Sequence, residues 1–153
     1  MGLVLVLWSW LAFALPIQQQ NVEQFTAKKQ EIRSEQKTGI ASFYHDRFEG
    51  RKTATGEVFD NGQYTAASNH FKLGSFVKVT NLANGKTVYV KVNDRMGHPG
   101  RIIDLAEVAA KELKFIGRGT TKVKIETVTA QEGKRRILAQ NLDAHPDRQV
   151  NRL

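Results

Sequence analysis

The chain has 153 residues, 23 Lys and Arg against 15 Asp and Glu, a formal net charge of +8 and no cysteine. That length holds one domain with extensions rather than two. The missing cysteines exclude disulfides, thiolate metal sites, a cysteine nucleophile and the lipid-attachment cysteine of a bacterial lipoprotein.

Met1 to Ile17 is apolar and carries no charged side chain, running Leu3-Val4-Leu5-Val6-Leu7-Trp8 and on through Leu11-Ala12-Phe13-Ala14. A signal-peptide core takes about 7–15 apolar residues, a membrane span about 20. Ala12 and Ala14 have the small-residue spacing of a cleavage site. Residues 1–20 are therefore predicted to be an export signal, with an uncleaved anchor as the alternative, and the rest of the chain is expected in the periplasm or cell envelope. Residues 21–38 continue a polar, Gln-rich stretch and are predicted to be a tether.

The folded domain is predicted over residues 39–128. Gly39-Ile40-Ala41-Ser42-Phe43-Tyr44 opens it as a short strand. His45 to Gly62 is polar and Gly-rich without apolar periodicity, which predicts a long functional loop. Tyr64-Thr65-Ala66-Ala67 predicts a short buried strand. In Phe76 to Thr80, Val77 and Val79 share one face; in Thr87 to Asn93, Val88, Val90 and Val92 share one face and Tyr89 and Lys91 the other. With Asn84-Gly85 between them, these two runs predict an antiparallel hairpin. Asp104 to Leu113 predicts a helix with Leu105, Val108, Ala109 and Leu113 on one stripe and Asp104 as its cap. Thr121 to Thr127 predicts a last strand with Val123 and Ile125 buried. Residues 129–153 lose apolar content, and beyond a short helix near Ile137-Leu138 they are expected to be disordered. Many short strands, one or two short helices and glycine-marked turns predict a mainly β fold, a small closed barrel.

The charge is dispersed. Residues 39–128 hold fourteen Lys and Arg against nine Asp and Glu, so +5, and the two flanks add +1 and +2. With few aromatic residues, that pattern does not describe a nucleic-acid stacking platform, and no nucleic-acid partner is expected. The polyanions available to an exported protein are the acidic peptides of cell-wall glycan and anionic lipid.

Asp94 stands out on strand phase. It follows Val88, Val90 and Val92 at even spacing, so it is predicted to point toward the side the valines bury, or into a cleft at its mouth. A carboxyl placed there is short of water, the setting in which a carboxylic acid can serve as a general acid. The competing reading is that Asn93-Asp94-Arg95 simply ends the strand and turns the chain. Arg95 is adjacent but opposite in phase and need not neutralise Asp94. Glu57, in Thr53-Ala54-Thr55-Gly56-Glu57, is the second candidate, against the plainer reading of a solvated loop acid; Asp60 and Asp46 follow. His45, His70, His98 and His145 show no metal spacing, and neither a phosphate loop nor a nucleophile elbow occurs. No metal or cofactor is expected.

The strings Gly39-Ile40-Ala41-Ser42-Phe43-Tyr44, Phe48-Glu49-Gly50-Arg51-Lys52-Thr53-Ala54-Thr55-Gly56-Glu57, Tyr64-Thr65-Ala66-Ala67, Val77-Lys78-Val79-Thr80-Asn81-Leu82, Asn84-Gly85-Lys86, Val92-Asn93-Asp94-Arg95 and Arg101-Ile102-Ile103-Asp104-Leu105 occur in order. Together they resemble the double-psi β-barrel domain of the rare lipoprotein A family, over nearly all of residues 39–128. The resemblance implies a six-stranded double-psi β-barrel and a lytic transglycosylase. Such an enzyme cleaves peptidoglycan between N-acetylmuramic acid and N-acetylglucosamine and leaves 1,6-anhydro ends. It implies Asp94 as the catalytic acid and base and Glu57 as a positioning or electrostatic residue; Tyr44 and Arg95 are candidate substrate-binding residues. The family pattern Thr-Ala-Ala-His departs here to Thr65-Ala66-Ala67-Ser68, so Ser68 stands where a supporting histidine is usual. His70, which would share a face with Ser68 in extended chain, and His98, near Asp94 in sequence, are the candidate substitutes. Met96-Gly97-His98 likewise replaces a common Gly-Pro-Phe. The departure at Ser68 leaves a second expectation beside the enzyme, a non-catalytic, expansin-like glycan-binding module. The expected partners are glycan strands and envelope or division proteins, and the expected state is a monomer.

Overall fold

The structure, a computed structural model, describes residues 35–144. The export-signal segment, most of the tether and the end of the tail, with His145, lie outside the described residues. Six strands carry the fold: β1 Gln36–Phe43, β2 Thr65–Ala67, β3 Phe76–Asn81, β4 Thr87–Asp94, β5 Ile103–Leu105 and β6 Thr121–Val128. They close into a barrel in the order β1-β5-β2-β4-β3-β6, with β1–β5 and β2–β4 parallel and the other pairs antiparallel. This is the small closed barrel expected, six-stranded as the resemblance implied.

The period-two signals produce the core. Val77, Val79, Val88, Val90, Val92, Val123 and Ile125 are all fully buried and pack with Ala41, Ala66, Ile103 and Leu105 inside the barrel. Each buried Val, Ile or Leu side chain contributes about 1.5–3 kcal/mol by leaving water. Helix α1, Glu107–Glu112, closes one end through Ala109, Ala110 and Leu113. The polar Asn81 is also buried, and its side chain is well partnered: its amide donates to the Leu113 carbonyl at 2.9 Å, and its oxygen accepts from Thr121 Oγ1 at 2.9 Å and from the Ala83 N–H at 3.0 Å.

Four expectations about elements change. Strand β1 begins at Gln36, inside the stretch read as tether, because Gln36–Ala41 pairs along β6. Asp104 is not a helix cap. It is the middle residue of β5, and Ala106 stands at the N-cap of α1 without a side-chain bond. A three-residue strand is too short to show periodicity, and only its neighbours β1 and β2 define it. The hairpin turn is longer than Asn84-Gly85 implied: Gly85 has φ +73°, but Asn84 does not have a positive φ. Instead its side chain accepts from the Lys86 N–H and donates to the Leu113 carbonyl, both at 3.0 Å.

The largest change lies after β6. Ala130–Ala144 is a helix, α2, where only a short helix near Ile137-Leu138, and otherwise disorder, was expected. Its sequence is polar, but one side of it is tied to the barrel. Gly133 is buried against Phe76, Ile137 packs on the core, and the Gln140 side chain accepts from the Tyr89 N–H at 2.7 Å and donates to the Tyr89 carbonyl at 2.9 Å. Strand β2 pairs with β4 only from Lys91 onward, so Gln140 takes the place of a strand neighbour at Tyr89. Helix stability here comes from packing rather than from composition. Among the described residues no helix is long and apolar enough to cross a membrane.

Candidate active site

The site is built where β4 loses its alternation. Ala66 pairs with Val92, but Ala67 pairs with Asp94, so Asn93 is an extra residue in β4. Such a bulge reverses the phase of the strand beyond it. Asp94 therefore does not join the face of Val88, Val90 and Val92, and the first arm of the phase expectation is corrected. It shares a row with Ala67, Asp104 and Ser42 across β4, β2, β5 and β1. Asp104 sits between Ile103 and Leu105, both fully buried in the core. The row thus lies on the outer face of the barrel wall.

On that face Asp94 is half-buried, in a concavity of about 220 Å³ lined by Tyr44, Phe48, Arg51, Lys52 and Phe59. Its Oδ1 accepts two main-chain N–H bonds, from Ala54 and Arg95, both at 2.8 Å. Its Oδ2 accepts one, from the Tyr44 hydroxyl at 2.8 Å. A carboxylate offers about two acceptor positions per oxygen. Oδ1 is thereby filled and fixed, and Oδ2 keeps one position free. The Tyr44 ring is braced by Phe59 at 4.3 Å and edge-on by Phe48 at 5.8 Å between centroids. Burial first, and then the bond to Asp94, push the Tyr44 phenol far above its ordinary range, so Tyr44 is a permanent donor to Oδ2.

The long loop expected at His45–Gly62 is ordered where it meets Asp94. Lys52 and Val58 form an isolated bridge, and the Thr53 N–H donates to the Glu57 carbonyl at 2.8 Å. This tight turn needs Gly56, whose φ is +84°, a conformation glycine adopts without steric penalty. The turn presents the Ala54 N–H to Asp94 and the Thr55 N–H to the Asn93 carbonyl at 3.1 Å. It also carries Glu57 to Lys91 Nζ and to the Asn93 amide, the latter at 2.8 Å. The Lys91 bond, then the Asn93 bond, hold the Glu57 carboxyl below the ordinary glutamate range. Glu57 is a standing negative charge, and the bulged residue Asn93 links it to Asp94.

Neither His70 nor His98 hydrogen-bonds the Asp94 carboxyl. Ser68 is fully buried, and its hydroxyl donates to the Ile102 carbonyl at 2.8 Å and accepts the His70 N–H at 3.2 Å. His70 lies in a separate concavity with Lys37, Ile40 and Arg101. His98 is exposed, and its Nδ1 accepts the Gly100 N–H at 3.1 Å. Arg95 turns away from Asp94, as its phase implied: its guanidinium donates to the Ser68 carbonyl and, at 2.9 Å, to the Phe71 carbonyl. It clamps the segment that carries Ser68. Asp60 and Asp46 serve loop structure, accepting from the Gly62 N–H at 2.7 Å and from the Asn61 amide at 3.2 Å.

The sequence reading missed Asp104 as a site neighbour. Its Oδ1 accepts from Ser42 Oγ at 3.0 Å and its Oδ2 from Arg101 Nη2 at 3.0 Å. Its negative charge also helps to raise the Tyr44 phenol. Asp104 lies between two apolar residues in Ile102-Ile103-Asp104-Leu105, which marks a strand, but the helical stripe beginning at Leu105 masked that signal.

The family described as lytic transglycolase matches residues 36–125. An endolytic peptidoglycan transglycosylase RlpA from Pasteurella multocida (strain Pm70) is 44% identical over 110 residues, covering 71% of this chain and 37% of that protein. One from Neisseria meningitidis (strain MC58) is 44% identical over 126 residues, covering 82% and 52%. The chain thus spans about half or less of the length of these relatives. Among solved structures, a Streptomyces papain inhibitor is similar with a TM-score of 0.52 at 26% identity, covering 62% of this chain and 96% of that one. An expansin from Clavibacter michiganensis gives a TM-score of 0.50 at 21% identity, covering 63% and 52%, and shows a shared fold alone.

Proposed function

We propose, since this chain belongs to the lytic transglycolase family of double-psi β-barrel domains, that it cleaves peptidoglycan glycan strands between N-acetylmuramic acid and N-acetylglucosamine without water. The observation that carries this reading is the Asp94 carboxyl, with Oδ1 locked by two N–H groups and Oδ2 braced by Tyr44 but open on its other side. A proton on Oδ2 passes to the glycosidic oxygen as its bond to C1 of muramic acid breaks. The same oxygen then takes the proton of the muramic C6 hydroxyl as that oxygen bonds to C1, closing the 1,6-anhydro ring. Because the nucleophile belongs to the substrate, one carboxyl serves both steps, where hydrolysis by glycosidases uses two. Glu57, kept ionised by Lys91 and Asn93, is suited to stabilise the positive charge that develops at the sugar ring. The apolar, uncharged start of the chain supports action in the periplasm or cell envelope.

One observation favours a second reading, glycan binding without turnover: among the described residues no imidazole bonds Asp94, and Ser68, which stands at the family's histidine position, is committed to the Ile102 carbonyl. One experiment separates them. The purified protein is incubated with peptidoglycan and with peptide-free glycan strands, and products are resolved by mass. Anhydro-muramic products that vanish in Asp94→Asn are the expected result. Their absence from the unaltered protein on both substrates, with glycan binding retained, would establish the second reading instead.

A further inference from the structure

A cleft of about 440 Å³ lies between α2 and the loop that ends at Val58. It is lined by Glu57 and Val58 of the loop, by Lys134, Leu138 and Asn141 of α2, and by Phe76 of β3. The wall formed by α2 is fixed rather than draped. A Cβ on Gly133 would fall 2.3 Å from the Phe76 Cβ, so only glycine allows the helix to sit this close. Further along, Gln140 holds both main-chain groups of Tyr89, and the Arg136 guanidinium stands 5.3 Å over the Tyr89 ring.

Two features of the lining select an occupant. Val58 on the loop is 64% exposed and Leu138 on α2 is 60% exposed, and both line the cleft and offer it apolar surface. The charged groups balance: Glu57 is paired with Lys91, leaving Asp60 and Lys134 of opposite sign. A balanced cleft with apolar walls and amide or ammonium groups at its edges suits a neutral ring with an apolar face and a polar rim, and disfavours a polyanion. The cleft also neighbours the site, because Glu57 and Asn93 line it while the same loop holds Asp94 through Ala54.

We propose that this cleft is a glycan subsite, formed by α2, for neutral N-acetylated amino-sugar residues of the strand beyond the one acted on at Asp94. This rests on the reading that the domain acts on peptidoglycan glycan, but its test does not need turnover. The β-1,4-linked tetramer of N-acetylglucosamine lacks muramic acid, so its binding can be followed apart from the cleavage proposed at Asp94. It is titrated, to about 10 mM, well above a millimolar dissociation constant, into the isotope-labelled full chain while amide shifts are followed. Shifts at Val58, Lys134, Leu138 and Asn141 are expected, with affinity falling about tenfold in Leu138→Asp. Leu138 is too exposed for that change to unfold the domain, and an unchanged spectrum elsewhere verifies it. Absence of shifts in the cleft, shifts confined to the Tyr44–Asp94 concavity, or equal affinity in Leu138→Asp would overturn the subsite. Cleft binding by a protein that releases no anhydro products would overturn only the proposed activity. Product release with an unaltered KM in Leu138→Asp would overturn only the subsite.

Discussion

Tyr44→Phe tests the geometry on which the chemistry depends. The substitution removes one oxygen and leaves the ring between Phe48 and Phe59 in place. Oδ1 of Asp94 keeps both of its main-chain donors, and Oδ2 loses the only protein donor it has among the described residues. A hydrogen bond to a charged partner contributes about 1.5–3 kcal/mol, and each 1.36 kcal/mol of barrier is tenfold in rate. If that bond holds Oδ2 where protons are exchanged, kcat should fall roughly 10- to 150-fold with little change in KM, since the hydroxyl acts through Asp94. The assay is the initial rate of anhydro-muramic product release over a range of glycan concentrations, with a thermal melt to show that the variant is folded. A variant that keeps more than half of its kcat would refute the idea that Tyr44 positions the reacting oxygen. A variant that loses only affinity would instead mark Tyr44 as a sugar contact.

Glu57→Gln should show its effect on stability only away from acid. The folded-state carboxyl lies below its ordinary value because of Lys91 and Asn93. Its contribution is therefore present above the ordinary range near 4.3 and is lost as pH falls through the lower folded value. Melting temperatures of the two proteins should differ at pH 6 and converge toward pH 3; an equal difference at both would count against an ionised Glu57. Gly133→Ala should lower stability by about 1–3 kcal/mol through overpacking against Phe76, read as a lower melting temperature together with faster amide exchange in Ala130–Ala144. An unchanged melt would mean that α2 does not depend on that close approach.

The alternating valines, Ile125 and the glycine-marked turns were enough to recover a closed β-barrel, because period-two burial is written locally along each strand. The ordered strings around Glu57 and Asp94 drew attention to both carboxyls, and the fold links them through Asn93. Three-residue strands and loop geometry are not local properties. Strand β5 exists because β1 and β2 flank it, which is why Asp104 read as a helix cap and emerged as a neighbour of Tyr44. The tail read as polar and mostly unstructured because the contacts that hold α2, Gly133 against Phe76 and Gln140 against Tyr89, involve partners more than 50 residues away.

Asp94 marks the division most clearly. Its identity as the acid at the end of a buried strand came from sequence alone, through even spacing from Val88 and the Val-Asn-Asp-Arg string. The direction in which it points did not. Alternation predicts a side chain only while every residue has one partner, and the pairing of Ala67 with Asp94 rather than Asn93 is a decision of the neighbouring strand. That extra residue turns Asp94 to the outer face and sends Asn93 to Glu57, joining two carboxyls that lie 37 positions apart in the sequence.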